Sequence, residues 1–214
     1  AGLGTIGLLY GALAAMGQTN LRRLLAYASL SHVGLVLLGI ASLSEPGVQG
    51  ALFQLINFPL VAGGLFLLTR FLNLRLGSTD LISLGGVARS MPLLAAFFFF
   101  LSLASLGVPG TSGFPAEFLI LMSALQIHTG AGLAALLAMV LGAAYVLDGY
   151  RRTFFGPLGN NAIAAAVDLR PRELLVAIAF SLPILATGLY PAGVLDILSA
   201  STSQWVERFA TRAP

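Results

Sequence analysis

One carboxylate, Glu117, stands in the run LGVPGTSGFPAEFLILM at residues 106–122, a stretch otherwise suited to lipid. The apolar runs MPLLAAFFFFLSLAS and ILMSALQIH flank it, and Gly107, Pro109, Gly110 and Gly113 interrupt the helical pattern just ahead of it. A charged side chain near a bilayer centre costs roughly 2.5–3.5 kcal/mol on insertion scales. An acid retained at that depth is a candidate for proton exchange with water or a neighbouring base. The plainer alternative is a structural charge held by a partner elsewhere in the fold. A second acid, Asp148 in YVLDGYRR, precedes Arg151 and Arg152 by one helical turn and reads as an interfacial ion pair.

Composition says which elements must position Glu117. The chain is 57% hydrophobic and 9% charged with a mean hydropathy of +0.93, against about 25% charged residues in soluble domains. It reads as an integral membrane protein. Its apolar runs are continuous and rich in Leu, Ala and Gly, with no period-2 alternation, which predicts helices rather than a barrel. All eleven basic side chains are arginine and they gather at segment ends, where topology and headgroup contacts explain them without a nucleic-acid partner. The absence of cysteine excludes thiolate-held metal and iron–sulfur clusters from this chain. No cofactor of its own is expected.

Apolar segments fall at about residues 1–17, 24–41, 48–69, 91–127 with its break, 131–150 and 173–190. The opening AGLGTIGLLYG carries neither an initiator Met nor a basic leader, so residue 1 reads as the middle of something longer. If the 91–127 stretch crosses once, the loops with Arg22 and Arg23, with Arg70, Arg75 and Arg89, and with Arg151, Arg152, Arg170 and Arg172 share one side. The positive-inside rule makes that side cytoplasmic. The expectation is an all-α polytopic transmembrane helix bundle of about six crossings, the fourth discontinuous between about Leu106 and Gly113. Irregular backbone at that depth is tolerated only where it is buried in protein or lines a watered cavity. Residues 1–190 form the transmembrane part and residues 191–214 an interfacial tail, with Leu198, Trp205, Val206 and Phe209 at the spacing of a short amphipathic helix.

Taken together, GQTNLRRLLAYASLSHVGLVLLGI, GALFQLINFPLVAGGLFLLT, LGGVARSMP, SLGVPGTSGFPAEFLIL and YRRTFFGP resemble the antiporter-like membrane subunits of respiratory complex I. The likeness is to the family of NADH-quinone oxidoreductase subunit M and the Mrp-type antiporters, with relatives in membrane hydrogenases and DabB-type inorganic-carbon uptake complexes. It covers residues 1 to about 195. That family's fold has fourteen helices in two inverted repeats, each with a discontinuous helix, and this chain resembles the C-terminal six. The resemblance implies a half-channel passing protons or monovalent cations along buried polar residues, coupled to redox chemistry in other subunits. It gives this chain no catalytic centre of its own and a place in a bacterial inner membrane beside other membrane subunits.

Carried over residue by residue, the resemblance makes Glu117 the acid after the helix break. His32, in SLSHVG, matches a family relay histidine, the alternative being a histidine that is merely hydrogen-bonded. Arg22, in TNLRR, stands where the family usually has a lysine, and the alternative there is a topogenic arginine, since guanidinium keeps its proton. Glu117, His32 and Arg22 are therefore the proton-path candidates. One departure stands out: INFPLVAGGLF places Phe58 where a second family histidine is expected. Gln54 and Asn57, with water, are the polar groups nearest that gap in sequence, and neither titrates. Besides the redox-coupled reading, the residues leave open a cation/proton antiporter, an inorganic-carbon uptake subunit, and a structural spacer that no longer conducts.

Overall fold

Short polar side chains set where the long helices begin. Asn20, in extended backbone, accepts hydrogen bonds from the Arg22 and Arg23 amides and starts α2 (Leu21–Ala41). Ser44 accepts from the Gly47 amide and starts α3 (Glu45–Leu76), with Pro46 in the first turn. Gly77, at φ 72°, turns the chain out of α3 in the left-handed conformation. The remaining helices are α1 (Gly2–Met16), α4 (Pro92–Ser105), α5 (Gly113–Ile127), α6 (Thr129–Phe154), α7 (Asn161–Ala164), α8 (Pro171–Leu189) and α9 (Ala192–Ala210). This computed structural model describes residues 1–158 and 161–210. Among the described residues all regular structure is helical apart from one isolated bridge, Asn20–Asp80.

The bundle answers the apolar segments one for one. Helices α2, α3, α6 and α8 are each long and apolar enough to cross a membrane. Helix α1 is shorter and packs along α2, where Gly11 and Gly34 let the two backbones touch; a Cβ on Gly34 would lie 2.3 Å from the Leu8 amide nitrogen. The chain between α4 and α5 leaves the helical path from Leu106 to Ser112, as the Gly/Pro cluster predicts. At 1.5 Å per residue, α4 and α5 each reach only about 21–22 Å, less than the ~30 Å hydrocarbon core. Together they are long enough.

Hydrogen bonds fix the ends of that broken element. The Leu93 and Leu94 amides donate to the two carboxylate oxygens of Asp168, at 2.7 and 3.1 Å, so a residue 75 positions away caps the start of α4. Arg75, in the last turn of α3, donates to the Asp168 carbonyl and ion-pairs with Glu173 at the start of α8. Just beyond α3, Asp80 accepts from the Asn20 side chain at the start of α2. At the other end, His128, which follows α5, lies 3.3 Å from the Ala41 carbonyl at the end of α2. Met91 and Ile127 thus sit at opposite ends of the bundle. The start of α2, the ends of α3 and α6 and the start of α8 gather the arginines at one end.

The tail is helical and packs on the bundle. Residues 192–210 form a 19-residue helix, longer than a short interfacial one, and it lies against α3 with Gln49 donating to the buried Thr202 hydroxyl. Leu198, Trp205 and Val206 are half-buried along it, while the Phe209 side chain and Arg212 lie outside the described residues. The docking against α3 is a long-range contact that a stretch read in isolation does not reveal.

Candidate functional site

The break exposes backbone groups, and the site grows from one of them. Because α4 stops at Ser105, that residue's carbonyl has no backbone donor, and His32 Nε2 from mid-α2 lies 3.1 Å from it. The other ring nitrogen, Nδ1, lies 2.9 Å from the Ala28 carbonyl one turn earlier. Glu117, on the first turns of α5 and only 4% exposed, brings Oε1 to 3.5 Å from the same Nε2. Both ring nitrogens thus face oxygen acceptors. A neutral imidazole can donate to one side only; adding a proton makes both contacts hydrogen bonds. The ring of His32 therefore lies between the Ala28 carbonyl on one side and the Ser105 carbonyl with Glu117 on the other.

Gly107 makes room for the carboxylate. It sits at φ +61°, and a Cβ there would come within 2.5 Å of Glu117 Oε2. The other side of the break is clamped: the Ser112 amide donates to the Ile184 carbonyl of α8, and the Ser112 hydroxyl donates to the Asn57 side-chain oxygen of α3. Asn57 in turn donates to Gln54 at 3.2 Å, with all three side chains buried. The hydrogen bonds of Gln54 and Asn57 therefore hold the break in place and do not run to His32.

Three cavities lie in a row along α2. The first, about 40 Å³, is lined by His32, Glu117, Ser31, Ser105 and Tyr145, roomy and polar enough for water. The second, about 20 Å³, shares His32 and Ser105 with the first and is otherwise lined mainly by apolar side chains, among them Phe58, Val61, Leu65 and Phe66, with Ser29. The third, about 70 Å³, shares Phe66 and opens among Arg22, Thr69, Arg70, Asn73 and Thr79 at the arginine-rich end. Phe58 stacks on the His32 ring at a centroid distance of 5.0 Å and 24° between planes. His32 and Phe58 thus face one another across α2 and α3, as the family packing predicts.

The structure brings together His32 and Glu117 of the three candidates. Arg22 is exposed at the start of α2, ten residues or about 15 Å along the axis from His32. Asp148 pairs with Arg151 at 2.9 Å and Arg152 at 2.6 Å. Sequence reasoning missed Tyr145, Ser31 and Ser112. Tyr145 is a hydroxyl in an apolar run and was open to notice; Ser31 and Ser112 carry no signal, because serine is ordinary in membrane helices and turns.

Comparison with known proteins places this geometry. Residues 1–142 match the transmembrane family described as NADH:quinone oxidoreductase/Mrp antiporter. Subunit M of the Rickettsia conorii NADH-quinone oxidoreductase is 36% identical over 97% of this chain and 42% of its own length. Chain 4 1 of the NAD(P)H-quinone oxidoreductase from a Synechococcus species is 42% identical over 88% of this chain and 38% of its own. A chain of respiratory complex I from Thermus thermophilus with bound NADH superposes with a TM-score of 0.86 at 35% identity, covering 94% of this chain and 43% of that one. The Mrp complex of a Dietzia species shares the fold at a TM-score of 0.85 and 23% identity. The chain spans about two fifths of the length of the curated relatives it matches. It is a multi-pass membrane protein and belongs to the NADH:quinone oxidoreductase/Mrp antiporter transmembrane family.

Proposed function

We propose that this chain is a proton-conducting half of a membrane subunit, in which His32 and Glu117 exchange a proton beside the helix break. The observation that carries this reading is the buried 3.5 Å approach of Glu117 to a histidine whose two ring nitrogens both face acceptors. A relay needs titratable groups or water at hydrogen-bond spacing. The pair and the adjoining cavity supply both, and Tyr145 adds a hydroxyl at the cavity wall. Arg22 stays charged and acts at the mouth of the arginine-rich end as a fixed field, not as a carrier. The energy source is placed in neighbouring membrane and redox subunits of a complex I-like assembly in a bacterial inner membrane, with protons or monovalent cations as cargo.

A second reading has a specific observation behind it. The cavity between His32 and the Arg22 cleft is lined mainly by apolar side chains, Phe58, Val61, Leu65 and Phe66 among them, with Ser29 and Ser105 at its wall, and a mainly apolar constriction sheds water. With Phe58 on the relay path, conduction toward the arginines stops at His32, and the half serves as a spacer or as a path entered from the far side. Glu117→Gln separates the two readings because it keeps shape and removes titration. In the full-length subunit within its assembled complex, reconstituted in vesicles, it is expected to cut proton transport by at least about tenfold with assembly intact. Transport at the wild-type rate across pH 6 to 8 would make the acid structural and the spacer reading the better one.

A further inference from the structure

We propose that the cleft between the start of α2 and the end of α3 is a phosphate-binding site, taking the phosphate of an anionic phospholipid headgroup or the same oxyanion free in solution. Two guanidinium groups, Arg22 and Arg70, open into one cavity of about 70 Å³ with the Asn73 amide and Thr79. Among the described residues, neither guanidinium has a hydrogen-bond or ion-pair partner. By contrast Arg75 is committed to Glu173, Val167 and Asp168, and Arg151 and Arg152 to Asp148. The Asn73 side chain is likewise unused within the described residues, although half-buried. Asp80 is the acid closest in sequence to the cleft; it accepts from Asn20 at 2.7 Å and pairs with neither arginine. Two arginines and an amide donor line the cleft with no carboxylate among its lining residues, which is recognition chemistry for a tetrahedral oxyanion that guanidinium binds through paired N–H donors.

The setting narrows the source. The cleft lies where membrane helices α2 and α3 meet the surface, at the end that gathers the arginines, and such surfaces attract anionic lipid. Phe66 closes its inner wall, so a ligand with an apolar stem beside its phosphate is matched on both sides. The site is separate from the His32–Glu117 pair, and its test does not depend on proton transport.

The assembled complex carrying the full-length subunit is placed in nanodiscs of phosphatidylcholine doped with a photoactivatable phosphatidylglycerol, and crosslinked peptides are mapped. Crosslinks to residues 20–23 and 66–80 are expected, and a phosphatidylcholine probe should leave them at background. Native mass spectrometry should show phosphatidylglycerol retained about tenfold more weakly by Arg22→Gln/Arg70→Gln than by wild type. Arg170→Gln/Arg172→Gln, which removes the same two charges from the start of α8, should leave retention unchanged. A second arm titrates sodium phosphate against the crosslink: protection at millimolar concentration assigns the site to the free oxyanion, and no protection assigns it to the lipid. Crosslinks distributed along the exposed helices without enrichment at the cleft, or crosslinks there that survive the double substitution undiminished, would overturn the proposal. A zero-length crosslink from this cleft to an acidic segment of another subunit would do the same.

Discussion

Two acid–base pairs tie the bundle together, and they are built on opposite principles. At the arginine-rich end, Arg75 donates to the Val167 and Asp168 carbonyls and pairs with Glu173, whose carboxylate also accepts from the Arg170 amide. Guanidinium keeps its proton while the loop carbonyls present fixed dipoles, and its fork satisfies several acceptors at once. At the break, the pair is His32 with Glu117, both titratable, beside a cavity with room for water. The first arrangement fixes three helices relative to one another. Under the proposed function, the second lets a proton change owner while the surrounding backbone, held by Asn57 and Ser112, stays put. What differs is the cation: guanidinium makes a staple, imidazole makes a switch.

The largest effect expected from breaking this contrast is on the staple. Arg75→Ala leaves Glu173 part-buried without its counter-ion and two loop carbonyls without donors. Breaking such a pair costs about 3 kcal/mol, read as a drop of about 5–10 °C in Tm of the purified full-length subunit. Arg75→Lys should recover only part of it, since one ammonium cannot reproduce the fork. If Arg75→Ala melts within 1–2 °C of wild type, the fixed end is not what holds α3, α4 and α8.

Next in size is Gly107→Ala, aimed at the switch. A Cβ at φ +61° costs about 1–2 kcal/mol by backbone alone, and it would displace Glu117 Oε2, 2.5 Å away. Transport should fall more than stability does. Combined with Glu117→Gln, the loss of transport should be no greater than that of Glu117→Gln alone, because both act through one carboxylate. Additive losses would mean that Gly107 serves the break and not the acid.

How much of this could be read in advance follows the range of the interactions. The break at 106–112 is local and was legible in residue type and spacing, whereas the apolar run read as ending near residue 69 did not show that α3 continues to Leu76 before Gly77 stops it. The Asp148 pair, whose partners lie one turn away, was legible too. Glu117 was legible because lipid makes a charge conspicuous. The placement of His32 beside Phe58 came with the family resemblance, not from periodicity. Asp168 capping α4, Ser112 locking onto Asn57, and α9 docking on α3 were not legible: each joins residues dozens of positions apart through groups that are unremarkable in their own segments.

Phe58→His is a smaller perturbation and sharpens the contrast from the other side. Phe58 already stacks on His32 at 5.0 Å, and imidazole is a smaller ring in the same plane, so stability should change by no more than about 1 kcal/mol. The change puts a titratable group into the wall of the apolar cavity. If Phe58 is the barrier toward the arginine-rich end, transport in vesicles should rise in Phe58→His and the rise should vanish in Phe58→His/Glu117→Gln. Unchanged transport would move the barrier to Leu65 and Phe66, which line the same cavity.

Asp148→Asn is expected to do least, and that is its use. Its two arginine contacts, at 2.9 and 2.6 Å, are as short as those elsewhere in the molecule. Yet Asp148 is 37% exposed and its partners 73% and 53%, so water and salt screen the attraction and the side chains lose entropy in holding one geometry. Exposed pairs of this kind contribute about 0–0.5 kcal/mol. The Tm should move by less than about 2 °C, and transport should not change, since the pair lies at the end of α6 away from the His32 cavity. With Arg75→Ala it forms a matched test of burial: similar distances, different exposure. Equal destabilisation by the two would show that the arginine-rich end is held by its summed charge and not by the Arg75 fork, and the distinction between staple and switch would have to be drawn elsewhere.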